Sequence, residues 1–211
     1  SRAWRYAPSP PAGRPPGSPP SRAKKVATGV NHLIIDMPVG PTTKIPDMKT
    51  ARMLEKKFIY IAHRFGITIQ VSMIKTADPV GFGVGPALEA RDVLRVLQQK
   101  KERPGDLSHK GVHLAGQLLE LIGKCKPGHG STLAWKVLDS GRAWKKMQQI
   151  IKAQGGNPNI DSEQITLGAH KKYYNAMKSG KIIFTDNKAI NLVCRALGAP
   201  SVKLAGIYLN K

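Results

Sequence analysis

Short apolar runs alternating with stretches of helical period limit what this chain can fold into. His32-Leu33-Ile34-Ile35-Asp36-Met37 has the length and composition of a buried strand, closed by Pro38 and Gly40. Asp47 follows, a residue suited to capping a helix. Behind it Ala51, Leu54, Phe58, Ile61, Ala62 and Phe65 fall on one face at helical spacing, with Gly66 as the stop. Residues 67–74 form a second strand. A glycine-rich turn over residues 81–85 then leads into a helix from Pro86, which a first helical turn tolerates. Helices are predicted over residues 107–122 and 133–153, the latter interrupted at Gly141. The spacing also predicts a strand over 181–185, a helix over 187–197 and a last strand over 206–209. Strand and helix in alternation predict an α/β fold, with helices layered on a mostly parallel sheet.

Residues 1–23 break this pattern. They contain Pro8, Pro10, Pro11, Pro15, Pro16, Pro19 and Pro20, with Arg2, Arg5, Arg14 and Arg22 and no acid. Such a segment offers neither apolar surface nor ladder donors, so the sequence predicts an extended arm. The composition is also compatible with a transit peptide, although the prolines prevent its usual amphipathic helix. Trp4 and Tyr6 sit among the arginines, which suits stacking on bases as well as phosphate contact. Charge points the same way: 34 Lys+Arg face 13 Asp+Glu, a formal +21. A surplus of that size repels itself in a folded chain unless a polyanion neutralises it, and nucleic acid is the commonest, ahead of an anionic membrane surface. No run approaches the roughly 18 apolar residues of a membrane span. Cys125 and Cys194 are the only cysteines, which argues against a disulfide framework and for a reducing compartment. The cytoplasm is therefore expected, with ribosome association or an organelle compatible.

Gly81, Gly83 and Gly85 lie between strand and helix, but the dinucleotide fingerprint needs its third glycine one position later and an acid about 20 residues on. The region near Lys100 is basic instead, so a tight strand-to-helix turn is the better reading. His109 and His113 have i, i+4 spacing, but no glutamate lies between them as a protease base would require. Cys125 and His129 supply two soft ligands, too few for a zinc site.

Several segments then fall into one known order. Lys24-Lys25-Val26-Ala27-Thr28-Gly29 precedes Leu33-Ile34-Ile35-Asp36-Met37-Pro38-Val39-Gly40-Pro41. Next comes Asp78-Pro79-Val80-Gly81-Phe82-Gly83-Val84-Gly85-Pro86-Ala87-Leu88-Glu89-Ala90-Arg91-Asp92-Val93-Leu94. Leu138-Asp139-Ser140-Gly141, Ala153-Gln154-Gly155-Gly156, Thr185-Asp186-Asn187-Lys188-Ala189-Ile190 and Gly206-Ile207-Tyr208-Leu209 complete the series. Collinear over all but the first twenty-odd residues, the chain resembles the later part of AMP phosphorylases and thymidine phosphorylases. The resemblance implies residues 24–157 as part of the family's α/β catalytic domain with its helical segment, and residues 158–211 as the start of a C-terminal α+β domain. The arm, residues 1–23, lies outside it.

That family transfers a pentosyl group from a nucleoside or nucleoside monophosphate to phosphate. The resemblance implies that Lys24 contacts the base or nucleotide. It also implies that the Val80 and Gly83 carbonyls and the Asp92 carboxylate hold a cation, for which hard oxygen ligands favour potassium or calcium. No other cofactor is expected. Three departures count against turnover by this chain alone. The family's phosphate loop and acidic proton donor lie upstream of Lys24, where this chain has its proline-rich arm. Pro20 replaces an expected serine, and Phe82 stands where a basic or small residue is expected.

Charge and departures together favour a non-catalytic phosphorylase homologue that binds RNA, as in a ribonucleoprotein such as the ribosome. The RNA contacts expected are Arg2, Trp4, Arg5, Tyr6, Arg14, Arg22, Lys25, Lys100, Lys101, Lys145, Lys146, Lys171 and Lys172. The alternative is a phosphorylase whose phosphate loop lies on another segment.

Overall fold

The computed structural model describes residues 29–210. The chain divides after Asn31 into two units, and every element named below belongs to the second, His32–Lys211. Strand β1 (His32–Val39), helix α1 (Met48–Arg64) and strand β2 (Thr68–Lys75) make the first motif. The strands are parallel, in register from His32 opposite Thr68 to Val39 opposite Lys75. A parallel pair needs a crossover, which α1 supplies. Alternation along β1 sends Met37 and Val39 into a core with Ala51, joined by Leu54, Phe58, Val71 and Met73. Asp36 and Ser72, opposite each other in the register, belong to the other face of the ribbon.

Asp47 caps α1 as its position predicts, its carboxylate accepting the Thr50 N–H at 2.7 Å. The predicted apolar face needs one correction. Phe65 is the C-terminal cap of α1 rather than part of its stripe and is 57% exposed.

Strand β3 (Gly83–Val84) leads into α2 (Pro86–Leu97), followed by α3 (Gly105–Leu121), α4 (Gly130–Asp139) and α5 (Arg142–Ala153). The single interrupted helix expected over 133–153 is thus two helices, with Gly141 between them at φ +74°. Val96, Val112, Ala134 and Leu138 form a second core that joins α2, α3 and α4. Helices α3 and α4 meet at Gly116 and Gly130, where neither helix has a side chain: a Cβ on Gly116 would stand 2.5 Å from the Ser131 nitrogen. A short 3₁₀ turn, Ser162–Gln164, precedes α6 (Asn187–Ala196), and β4 (Ile207–Tyr208) pairs antiparallel with β3.

The strand predicted over 181–185 does not form; among the described residues it pairs with no other segment. Periodicity identifies such a run, but a ladder needs a neighbouring edge, which local sequence does not report. The fold is otherwise the expected α/β arrangement of helices with a parallel strand pair. Among the described residues no helix is long and apolar enough to cross a membrane.

Candidate functional site

Three carboxylates tie down the turn between β2 and α2. Asp92, in the second turn of α2, is 1% exposed. Its Oδ2 accepts the N–H groups of Phe82 and Gly83, each at 2.7 Å. The Gly81 N–H donates to both oxygens of Asp106 at 3.2 Å, and the Gly85 N–H to Oε1 of Glu89 at 3.0 Å. The glycines have separate reasons to be there. Gly81 and Gly85 have positive φ, whereas a Cβ on Gly83 would stand 2.5 Å from Cβ of Leu88.

This arrangement leaves oxygen atoms for a ligand. Oδ1 of Asp92 is buried and accepts no hydrogen bond. Leu209 donates its N–H to the Phe82 carbonyl at 2.7 Å, which makes 82 and 209 a hydrogen-bonded pair. Gly83 and Tyr208 are therefore a non-hydrogen-bonded pair, and the Gly83 N–H and C=O both point away from β4, on the side where its N–H meets Asp92. The unpartnered buried oxygen of Asp92 and the Gly83 carbonyl turned away from β4 are hard-oxygen donors, the kind that potassium or calcium takes.

A second cluster braces the turn from outside. The Arg95 guanidinium grips Glu163 with two bonds, 2.7 and 2.8 Å. This pairing raises the arginine above its ordinary range and holds the Glu163 carboxyl below its own. Arg91 lies over the Tyr208 ring at 5.0 Å, and Phe82 packs against the same ring at 5.8 Å between centroids. Phe82, unexpected by comparison with the family, thus fills a place in an aromatic contact. Lys100 pairs with Asp161, whose carboxyl is lowered first by that bond and next by the Glu163 N–H. The side chain of Gln98 accepts the Ser162 N–H and donates to the Ile160 carbonyl. The 3₁₀ turn is thereby fastened to the C-terminal end of α2.

On the α3 side of the β1–β2 ribbon, Lys110 pairs with Asp36 at 2.7 Å and His113 Nε2 lies 3.5 Å from the Ser72 hydroxyl. His109 meets Trp135 edge-on at 5.3 Å. Among the described residues no three His, Cys, Asp or Glu side chains gather to hold a metal on their own.

Lys100 is engaged with Asp161, and Lys101 is exposed. Lys145 and Lys146 border a shallow groove with Arg142, Met147, Ile150 and Leu97. Lys171 and Lys172 are exposed. Arg2, Trp4, Arg5, Tyr6, Arg14, Arg22, Lys24 and Lys25 lie outside the described residues. Of the implied cation ligands, Val80, Gly83 and Asp92 belong to one turn and the helix behind it. Sequence reading missed Asp106, Glu89 and Glu163. For Glu163 the Asp161-x-x-Gln164 capping box was a usable signal.

No protein-family model matches the chain. The AMP phosphorylase of Thermococcus kodakarensis is 43% identical over 187 residues, which is 89% of this chain and 37% of that protein. The putative thymidine phosphorylase of Legionella pneumophila (strain Paris) is 39% identical over 188 residues, 89% of this chain and 35% of its own length. The AMP phosphorylase of Methanosarcina acetivorans is 39% identical over 189 residues, covering 90% and 37%. Over the matched stretch the chain is a homologue of AMP phosphorylases and putative thymidine phosphorylases. The chain thus spans little more than a third of the length of its phosphorylase relatives. In the matched stretch the structure shows the glycine-rich motif as a turn organised around Asp92.

Proposed function

We propose that this chain is the nucleotide-side part of a phosphorylase that transfers a pentosyl group from a nucleoside or nucleoside monophosphate to phosphate. The observation that carries the reading is 43% identity with an AMP phosphorylase across 187 residues. Charge alone ranks RNA binding first; that identity reverses the order. In the reaction an oxygen of phosphate forms the new bond to the pentose carbon as the bond to the base breaks. The base must be held and its developing negative charge met, and the phosphate must be oriented by cations and backbone N–H groups. Lys24 is assigned to the base or nucleotide. The phosphate is assigned to polypeptide outside the matched stretch.

The Asp92 turn keeps the segment leading into α2 rigid. Oδ1 of Asp92 and the carbonyls of Val80 and Gly83 would hold the cation. When bound, that ion supplies positive charge that locks the turn. Asp92 does the rest through the two backbone amides it already fixes.

Equilibrium dialysis of the full chain against AMP, thymidine, uridine and cytidine tests the reading. Saturable binding of one of them, lost in Lys24→Ala with an unchanged melting temperature, is expected. No binding below about 10 mM, weaker than about −3 kcal/mol, contradicts it.

A second reading rests on the formal +21 and keeps the same fold as a non-catalytic RNA-binding component of a ribonucleoprotein. It predicts RNA affinity that falls steeply with salt and no saturable binding of mononucleotides.

A further inference from the structure

Residues 170–186 form neither helix nor strand, and every residue from 169 to 184 is exposed. Two adjacent tyrosines lie in this segment, Tyr173 and Tyr174, 80% and 94% exposed. Tyrosine ordinarily buries most of its ring, so two bare rings side by side mark a contact surface. Their surroundings carry charge of one sign. Between Glu163 and Asp186 the chain has four lysines, Lys171, Lys172, Lys178 and Lys181, and no acid. Among the described residues none of these lysines meets a carboxylate.

The chemistry of the partner follows from both features. It must bring repeated negative charge to the lysines and flat faces to the rings. In extended chain neighbouring side chains point to opposite sides, so Tyr173 and Tyr174 do not lie on one plane. An anionic membrane is such a plane, and its hydrocarbon does not accept backbone that lacks a helix or a ladder. A second copy of the chain would set lysine against lysine. A nucleic-acid duplex keeps its bases stacked inside and offers the segment only phosphates. Unpaired nucleotides offer both groups: a phosphate for each lysine and, on either side of the chain, a base for each ring. RNA presents such nucleotides in its loops, bulges and ends.

We propose that residues 170–181 bind single-stranded RNA, with Tyr173 and Tyr174 as stacking platforms and the four lysines on phosphates. Charge identifies Lys171 and Lys172 in the sequence, but the tyrosines stand out only once their exposure is known. The site deepens the RNA-binding reading and rests on it; pentosyl transfer has no part in it.

Fluorescence anisotropy tests it, with the full chain titrated into a labelled oligouridine of about 12 nucleotides at several salt concentrations. Tyr173→Ala and Tyr174→Ala should each weaken binding by at least about 5-fold and leave the salt dependence unchanged, because stacking releases no ions. Tyr173→Phe and Tyr174→Phe keep the ring and should bind as the parent does. Lys171→Gln combined with Lys172→Gln should flatten the slope of log affinity against log salt by about 1.4, at about 0.7 per phosphate of a single strand. Duplex RNA should not respond to the tyrosine changes. All these side chains are exposed, so every variant should melt with the parent. Alanine variants that bind the oligomer like the parent would overturn the site, as would an equal loss with phenylalanine or an unchanged slope in the lysine pair. A lowered melting temperature in the alanine variants would also overturn it, since the rings would then be packed. Phosphatidylserine vesicles that displace the oligomer at equal charge would assign the segment to a lipid surface instead. Affinity that survives every variant rejects this site alone, whereas a full chain that binds the oligomer no tighter than about 1 mM at about 150 mM salt rejects the RNA reading with it.

Discussion

Asp92 holds two backbone amides with one carboxylate oxygen, in a place closed to water. Replacing it with alanine strands both donors, and hydrogen bonds to a charged group are worth about 1.5–3 kcal/mol each. Asp92→Ala should therefore lower stability by about 3–6 kcal/mol in urea titration, and a loss under about 1 kcal/mol would mean that the turn is held by other contacts. The other oxygen, Oδ1, gives a separate test. Potassium or calcium should raise the melting temperature of the full chain above that in a tetramethylammonium salt of equal ionic strength. Asp92→Asn should abolish the difference. An equal response in both proteins would remove the cation from the account. The sequence made Asp92 visible only through its resemblance to a family motif. Asp106 and Glu163 escaped because their partners, Gly81 and Arg95, lie far away in the chain, and no periodicity connects positions so separated.

Among the elements, α1 shows what periodicity conveys and where it stops. Leu54 and Phe58 pack on the Met37–Val39–Ala51 core as their spacing requires, and Ile61 is half-buried. Phe65 has the same spacing but lies in the cap, since the helix ends at Arg64. Phe58→Ala should cost about 2–4 kcal/mol, somewhat below the range for a fully buried aromatic. Phe65→Ala should cost less than about 0.5 kcal/mol, as exposed positions do. Equal losses in reversible melts would mean that the face is wrongly placed. The strand expected over 181–185 failed for a different reason: its composition was read correctly, but pairing is a property of the neighbour. The clip between α2 and the 3₁₀ turn responds to pH. Glu163 is held below its ordinary range chiefly by Arg95, and Asp161 chiefly by Lys100. A carboxylate lowered in the folded state stabilises above its unfolded value, near 4, and loses that contribution as pH falls through the folded value. Stability should therefore decline below about pH 4, and Arg95→Met should make the decline shallower. A pH profile identical to the parent's would show that Arg95 does not set the Glu163 titration.

For the whole molecule, the formal +21 and the identity with phosphorylases make different demands. If RNA is a partner, the logarithm of affinity should fall against the logarithm of salt by about 0.7–0.9 per phosphate neutralised. Removing residues 1–23, with Arg2, Arg5, Arg14 and Arg22, should then flatten that slope by up to about four units. Trp4→Ala should weaken binding by about 1–3 kcal/mol with little change in slope, because stacking releases no ions. An unchanged slope in the shortened chain would take the arm out of the contact. The phosphorylase account is tested most directly by the melting temperature of the full chain with AMP, with thymidine and with RNA, at one fixed ionic strength. It predicts that a mononucleotide at about 100 times its dissociation constant adds about 2.7 kcal/mol of stability, that Lys24→Ala abolishes this, and that RNA adds less. Stabilisation by RNA, with neither AMP nor thymidine moving the melt, would contradict it.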